Sequence, residues 1–266
     1  MKNIRIGVLG AGPFANHFIP LFQAHPLVED VYLAERMEER RESTSKKFSL
    51  ATTFDDFDNL LRSDVDAIAV FSQRWTHAPI AIKAMKTGKH VFSAVPAAVT
   101  LEELDALIDT VRETGQLYML GETSYYGAET VFCRKQYRKG SFGRFVYAES
   151  SYCHDMEHGF YPPYQVANGP AWKQFASFPP MLYPTHSVGQ ILGVTGGRMT
   201  KVSCFGQVDQ HEDGIFNKER SFFDNDFSNE TAMFRTSEDG MARANEFRRV
   251  SGHDPFQMQG TRAAFI

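Results

Sequence analysis

The chain has 266 residues, 42% of them hydrophobic, with 28 Lys and Arg against 32 Asp and Glu and a formal net charge of −4. That is enough apolar material for two domain cores, and the basic residues are scattered rather than massed in a stripe, which argues against nucleic acid as the partner. The first residues carry no signal-peptide pattern and no apolar run reaches the ~18–20 residues of a membrane span, so a soluble cytoplasmic protein with no membrane partner is expected.

Residues 4–9 form a short β-branched run suited to a strand buried on both faces. Helix-forming residues follow over 13–25, with Pro13 in the first turn, and then a strand over 31–34, a helix over 36–48, a strand over 51–53 and a helix over 54–62. A strand over 67–71, a helix over 77–87 ending at Gly88, and a strand over 90–93 continue the rhythm. Residues 101–114 place Leu101, Leu104, Leu107, Ile108 and Val111 at helical spacing before Gly115, and 117–120 read as a sixth strand. This alternation predicts an α/β, doubly wound parallel Rossmann sheet over residues 1–123.

Beyond Thr123 the rhythm changes. One helix over 128–139 is followed by strand-like segments at 144–152, 201–208, 230–236 and 241–250, with a Pro-, Gly- and aromatic-rich loop between Cys153 and Pro184. Residues 124–266 therefore read as an α+β domain on a mostly antiparallel open sheet. Three separated cysteines, Cys133, Cys153 and Cys204, have no CxxC spacing and read as free thiols.

The first turn carries the main functional signal. Gly10-Ala11-Gly12-Pro13-Phe14-Ala15 fits the G-x-G-x-x-G/A dinucleotide fingerprint. Gly10 permits the tight turn, Gly12 lets backbone approach a pyrophosphate, and Ala15 lets helix and strand pack closely. Glu35, at the end of the second strand, is the acidic residue suited to the ribose hydroxyls and predicts NAD rather than NADP. Arg36, with Arg40 and Arg41, is the countervailing feature, because guanidinium groups suit a 2′-phosphate. Ser72 and His77 lie where open α/β sheets bind ligands; for His77 a helix-start residue held by backbone is the competing reading.

Several stretches together resemble the glucose–fructose oxidoreductase/inositol dehydrogenase (Gfo/Idh/MocA) family: 6–15, Asp66-Ala67-Ile68-Ala69-Val70, His77-Ala78-Pro79-Ile80-Ala81, 84–91 and 140–148. The resemblance implies a substrate cleft beside the nicotinamide, a sugar or polyol substrate, and homo-oligomerisation through the second domain's sheet. Where family dehydrogenases carry Glu-Lys-Pro, this chain has Ala94-Val95-Pro96, with Pro96 among the expected cofactor contacts. Family members also place an aspartate four residues before a histidine; here the histidine is His186 and the earlier position is Leu182.

Val95–Ala98, His154-Asp155 and Tyr183-Pro184-Thr185-His186 resemble a branch that includes NAD-dependent glycoside hydrolases, although Ala94 stands where those enzymes commonly have glutamate. Family members usually continue well beyond Ile266, and residues 260–266 read as a strand interrupted within a domain, as in a fragment or shortened variant.

Alcohol oxidation needs a base for the hydroxyl proton. His186 is the first candidate, because imidazole titrates near neutrality. Tyr152 is the second, provided that its pKa is lowered from ~10. His154 and Asp155 are candidates to orient a substrate hydroxyl or the histidine.

The run His154-Asp155-Met156-Glu157-His158 has ligand types for a metal, but Gly159 and Pro162-Pro163 argue against the helix that would align them, so no metal is expected. Tyr125, Tyr126, Phe160, Tyr161, Tyr164 and Trp172 suit sugar C–H faces and ordinary packing alike. The leading expectation is an NAD(P)-dependent oxidoreductase acting on a sugar or polyol. A glycoside hydrolase that recycles NAD is the alternative, and a non-catalytic cofactor-binding protein is the second.

Overall fold

Strands that bury apolar side chains on both faces need helices on both sides, and the first half of the chain meets that need. The computed structural model describes residues 3–156, 161–250, 252 and 254–266. The chain divides into two compact units, Met1–Gly121 and Glu122–Ile266.

In the first unit the elements alternate: β1 (Ile4–Leu9), α1 (Pro13–Ala24), β2 (Val28–Ala34), α2 (Glu38–Phe48), β3 (Thr53–Phe54), α3 (Phe57–Arg62), β4 (Ala67–Val70), α4 (His77–Lys86), β5 (His90–Ser93), α5 (Leu101–Thr114) and β6 (Tyr118–Leu120). The six strands are parallel in the order β3-β2-β1-β4-β5-β6, the doubly wound arrangement. Successive residues serve opposite faces. Ile6, Val8, Val31, Leu33 and Ala69 pack with Ala15 and Ile19 of α1, whereas Ile68, Val70 and Val91 pack with Leu60, Ala81, Met85 and Leu107 of α3, α4 and α5.

Local chemistry sets the helix starts. The Glu35 carboxylate accepts the Met37 N–H at 2.9 Å, which holds residues 36–37 in a turn and starts α2 two residues later than its composition suggests. Phe54 pairs with Ala34 in β3, and Asp56 caps α3 by accepting the Asn59 N–H at 2.7 Å.

The second unit contains α6 (Ala128–Arg138), β7 (Phe145–Cys153), α7 (Tyr161–Asn168), α8 (Trp172–Ala176), α9 (Thr185–Thr195), β8 (Met199–Val208), β9 (Phe227–Thr236), β10 (Met241–Phe247), β11 (Phe256–Gly260) and β12 (Ala264–Phe265). Its sheet runs β12-β11-β7-β10-β9-β8, antiparallel except for the parallel β7–β10 pair. Cys133 of α6 and Ile191 and Val194 of α9 pack on Ala148, Ala242, Phe256 and Met258 of the sheet.

The segment expected as loop between Cys153 and Pro184 holds α7 and α8. Pro162 and Pro163 fall in the first turn of α7, where proline forfeits no intrahelical hydrogen bond. A separate small core of Met156, Tyr164, Ala176, Phe178, Ile215 and Phe216 anchors this segment. The terminal residues, expected as one interrupted strand, instead make a tight return in which β12 pairs antiparallel with β11.

Helix α9 is divided along its length. Ser187, Gln190, Ile191 and Val194 are all buried at i, i+3, i+4, i+7 spacing, so the front of that stripe is polar and the back apolar. Ser187 donates to Glu246 at 2.5 Å, Gln190 donates to Glu129 at 2.9 Å, and Ser150 donates to Gln190. Glu246 also receives Arg248 at 3.0 Å; both side chains are at most 1% exposed.

Two outcomes follow. Alanine at Gly10 would put its Cβ 2.8 Å from the Phe71 carbonyl oxygen at a φ of +99°, so thermal unfolding of Gly10→Ala should show a loss of at least about 1–2 kcal/mol. Burial raises Glu246 from 4.5 to about 7 against the pull of Arg248 and Ser187. The folded state then holds that proton more tightly than the unfolded chain, so the associated stability is full below pH 4.5 and is lost as pH rises through 7. Denaturant titrations across this interval should show that decline, and Glu246→Gln should flatten it.

Candidate active site

The turn after β1 is shaped by what each glycine meets. Gly10 passes directly against the Phe71 carbonyl, leaving no room for a side chain, whereas a Cβ on Gly12 would meet nothing within 4 Å. Gly12 caps α1 without a side-chain hydrogen bond, so first-turn N–H groups open onto free space, with Pro13 and Phe14 exposed beside it and Ala15 fully buried beneath. Glu35 accepts the Ala11 N–H at 3.0 Å through one oxygen and the Met37 N–H through the other. Each oxygen keeps a further lone pair. Arg36 is exposed, and Arg41 donates to the Glu35 carbonyl at 2.8 Å. An open helix N-terminus beside a half-buried carboxylate fits a dinucleotide's pyrophosphate and ribose.

His77 is 2% exposed, with Nδ1 2.8 Å from the Pro96 carbonyl oxygen and Nε2 3.0 Å from that of Ser72. Burial lowers its pKa. The ring thus ties the end of β4 to the segment after β5, where Ala94, Val95 and Pro96 are buried and the Val95–Pro96 peptide is cis. The Ser72 hydroxyl lies 2.7 Å from that of Thr76.

In the second unit, His186 lies in the first turn of α9, one residue after Thr185 opens the helix, and is 7% exposed. Its Nδ1 donates to Glu122 Oε1 at 2.7 Å, with the Ser124 hydroxyl at 3.3 Å, and its Nε2 lies 3.0 Å from the Tyr183 hydroxyl. Tyr152 projects from β7 over the imidazole, ring centroids 4.3 Å apart, and its hydroxyl meets His154 Nδ1 at 2.5 Å. The Arg248 guanidinium stands 5.4 Å from the Tyr152 ring and 6.0 Å from that of Tyr183. Burial pushes the Tyr152 phenol up, opposite to the lowering that a tyrosine base needs.

His186, Tyr152 and His154 are therefore brought together. Asp155 lines a cavity of about 700 Å³ with Gln207, Asp209, His211, Asn229 and Arg249, a lining that includes none of those three. Within the run considered for a metal, Glu157 and His158 lie outside the described residues, as does Phe160. Leu182 belongs to the small separate core and supplies no carboxylate.

Glu122, Ser124 and Tyr183 were not among the expected site residues. Glu122 follows the last parallel strand, a place where open sheets gather ligands, and that position was its only signal.

Residues 4–122 match the family model described as an oxidoreductase family with an NAD-binding Rossmann fold, Gfo/Idh/MocA. A glycosyl hydrolase family 109 protein from Saccharopolyspora erythraea is 29% identical over 204 residues, 71% of this chain and 44% of that protein. One from a Shewanella strain is 34% identical over 137 residues, 50% of this chain and 29% of its own. The chain spans less than half the length of these curated relatives.

Among solved structures, scyllo-inositol dehydrogenase from Lactobacillus casei, with bound NAD(H) and scyllo-inositol, superposes with a TM-score of 0.81 at 18% identity, covering 99% of this chain and 76% of that one. Levoglucosan dehydrogenase in complex with NADH and L-sorbose gives 0.78 at 20%, covering 99% and 72%. The model match, the parallel strand order and the Gly10–Ala15 turn agree: residues 4–122 form a doubly wound Rossmann unit similar to the NAD-binding fold of the Gfo/Idh/MocA oxidoreductases.

Proposed function

We propose that this protein is an NAD-dependent oxidoreductase that transfers hydride at a hydroxyl-bearing carbon of a sugar or polyol. The observation that carries the reading is His186, buried between Glu122 and Tyr183 in a chain whose first unit has an open dinucleotide turn. The first-turn N–H groups of α1 hold the pyrophosphate, Glu35 the adenosine ribose, and the Ser72–His77 and Pro96 segment borders the rest of the cofactor. When bound, the oxidised nicotinamide supplies the electron-pair sink for hydride.

His186 takes the hydroxyl proton, and Tyr152 with His154 orients the sugar ring. The polyol and sugar ligands of the two dehydrogenase neighbours support this substrate class. The same proposal has copies of the chain associating through the open face of the second sheet, where Phe205, Met233 and Met241 are exposed, in the cytoplasm.

A second reading has one specific support, the glycosyl hydrolase family 109 relatives together with Val95 at the usual lysine position. In that case hydride is returned within each turnover and NADH never accumulates. Incubation with NAD, a polyol panel and chromogenic glycosides, following aglycone and NADH together, separates the two. NADH formation from a polyol is the expected result. Aglycone release that requires NAD but yields no NADH would replace the dehydrogenase reading with the glycosidase one, and cofactor binding without either product would leave a binding protein.

Glu35 sets the cofactor preference, because a carboxylate accepting ribose hydroxyls repels a 2′-phosphate. Calorimetric titration should give NAD at least about tenfold tighter binding than NADP, a difference of about 1.4 kcal/mol. Equal or tighter NADP binding would transfer the determining role to Arg36.

A further inference from the structure

We propose that the cavity of about 700 Å³ in the second unit is a further binding site, which takes a neutral polyhydroxylated ligand, a sugar or polyol. Its lining belongs wholly to that unit: Gln207 near the end of β8, Asp209 just beyond it, Ser228 and Asn229 near the start of β9, and Arg249 after β10. Pockets that hold small molecules measure about 300–1,000 Å³ and are mostly apolar. This one has the size but the opposite lining, with Val208 the one apolar side chain among the described lining residues. Its occupant is therefore held by hydrogen bonds rather than by apolar burial. Binding there needs neither cofactor nor turnover, so it is independent of the oxidoreductase reading.

The donors on the wall are set by backbone. Asn229 Oδ1 accepts the N–H of Arg248 at 3.0 Å and that of Arg249 at 3.1 Å, which fixes its amide with the nitrogen toward β8. There Asn229 Nδ2 donates to Gln207 Oε1 at 2.8 Å. The carbonyl end of Gln207 is thus occupied, and its NH₂ end is left as an exposed donor.

The acceptor is Asp209. Its side chain is 7% exposed, yet its Oδ2 accepts no hydrogen bond among the described residues. Arg249 Nη2 stands 3.7 Å away, beyond hydrogen-bond length. Both hydrogens of that nitrogen go instead to Asp213, at 2.6 Å to each carboxylate oxygen. Asp209 therefore has a positive charge nearby but no donor from it. A carboxylate turns about its Cβ–Cγ bond between two equivalent states, so either oxygen can be presented to the cavity.

Donor and acceptor on one wall select the ligand. A hydroxyl group gives its hydrogen to Asp209 and its lone pair to the Gln207 NH₂, answering both. An anion meets the carboxylates of Asp155 and Asp209, and an alkylammonium ion has no lone pair for Gln207. Among the described residues no three His, Cys, Asp or Glu side chains are grouped to hold a metal ion.

The test is a titration of the intact chain, without NAD, with glucose, myo-inositol and cellobiose, and with inorganic phosphate and putrescine as charged controls. Nitrogen-15 NMR follows the Gln207 side-chain amide, assigned by its loss in Gln207→Met, and calorimetry gives the affinity. At least one neutral ligand should shift the Gln207 signal saturably, with a Kd at or below about 1 mM. Tighter binding of cellobiose than of glucose identifies a glycan chain as the occupant, and tighter binding of myo-inositol a free polyol; either supports the site. Asp209→Asn, nearly the same shape, should weaken binding at least about tenfold, and Gln207→Met, at an exposed position, at least about threefold. His186→Gln should leave the affinity and the Gln207 shift unchanged, because His186 is not in the lining. The proposal is overturned by a Gln207 signal indifferent to all three neutral ligands or by stronger binding of phosphate or putrescine. Affinity unaltered in both Asp209→Asn and Gln207→Met, or binding lost in His186→Gln, would overturn it equally.

Discussion

Polar side chains facing a helix-covered sheet must find their partners inside the protein, and the second unit is organised around that constraint. Glu246, Arg248, Ser187, Gln190 and Ser150 are all buried where α9 crosses the sheet. Each one is answered by another or by backbone: Arg248 by Glu246 and the Pro180 carbonyl, Glu246 by Ser187, Gln190 by Glu129 and Ser150. An unanswered group there would cost about 1–3 kcal/mol, so the network admits few alternative arrangements. His186 sits one residue before Ser187 and inherits that fixity.

Glycine serves opposite ends in the two units. In the first, Gly12 keeps space open and Gly10 lets two stretches of backbone touch. In the second, Gly189 and Gly193 of α9 admit Glu122 and Tyr125, so the space is filled by protein. Two glycines within one helix lower its intrinsic propensity by about 1 kcal/mol each relative to alanine, a cost met by packing rather than by the helix itself.

Much of the first unit was legible because each signal was local. Short, mostly apolar strand runs such as Ile4–Leu9, Pro13 at a first turn and Gly115 after α5 identify elements within a few residues of themselves. The starts of α2 and α3 were less legible because they depend on where the Glu35 and Phe54 side groups and backbone go, which pattern alone does not encode. The second unit hides its pattern: the inward positions of β10 are Ala242, Ala244 and Glu246, two small residues and an acid, so alternation does not announce the core. His186 was legible by its motif. Its partner Glu122 was not, because a contact across 64 residues leaves no periodicity to read.

The place of β7 within its sheet bears on how the chain is made. Tyr152 belongs to β7, and both of that strand's neighbours, β10 and β11, come from much later in the sequence. Pairing across such separations is slow to form, and a chain emerging from the ribosome cannot complete it until residues near Phe256 are free. The aromatic and imidazole groups around His186 are thus assembled late in synthesis, after the dinucleotide-binding unit has had time to fold on its own.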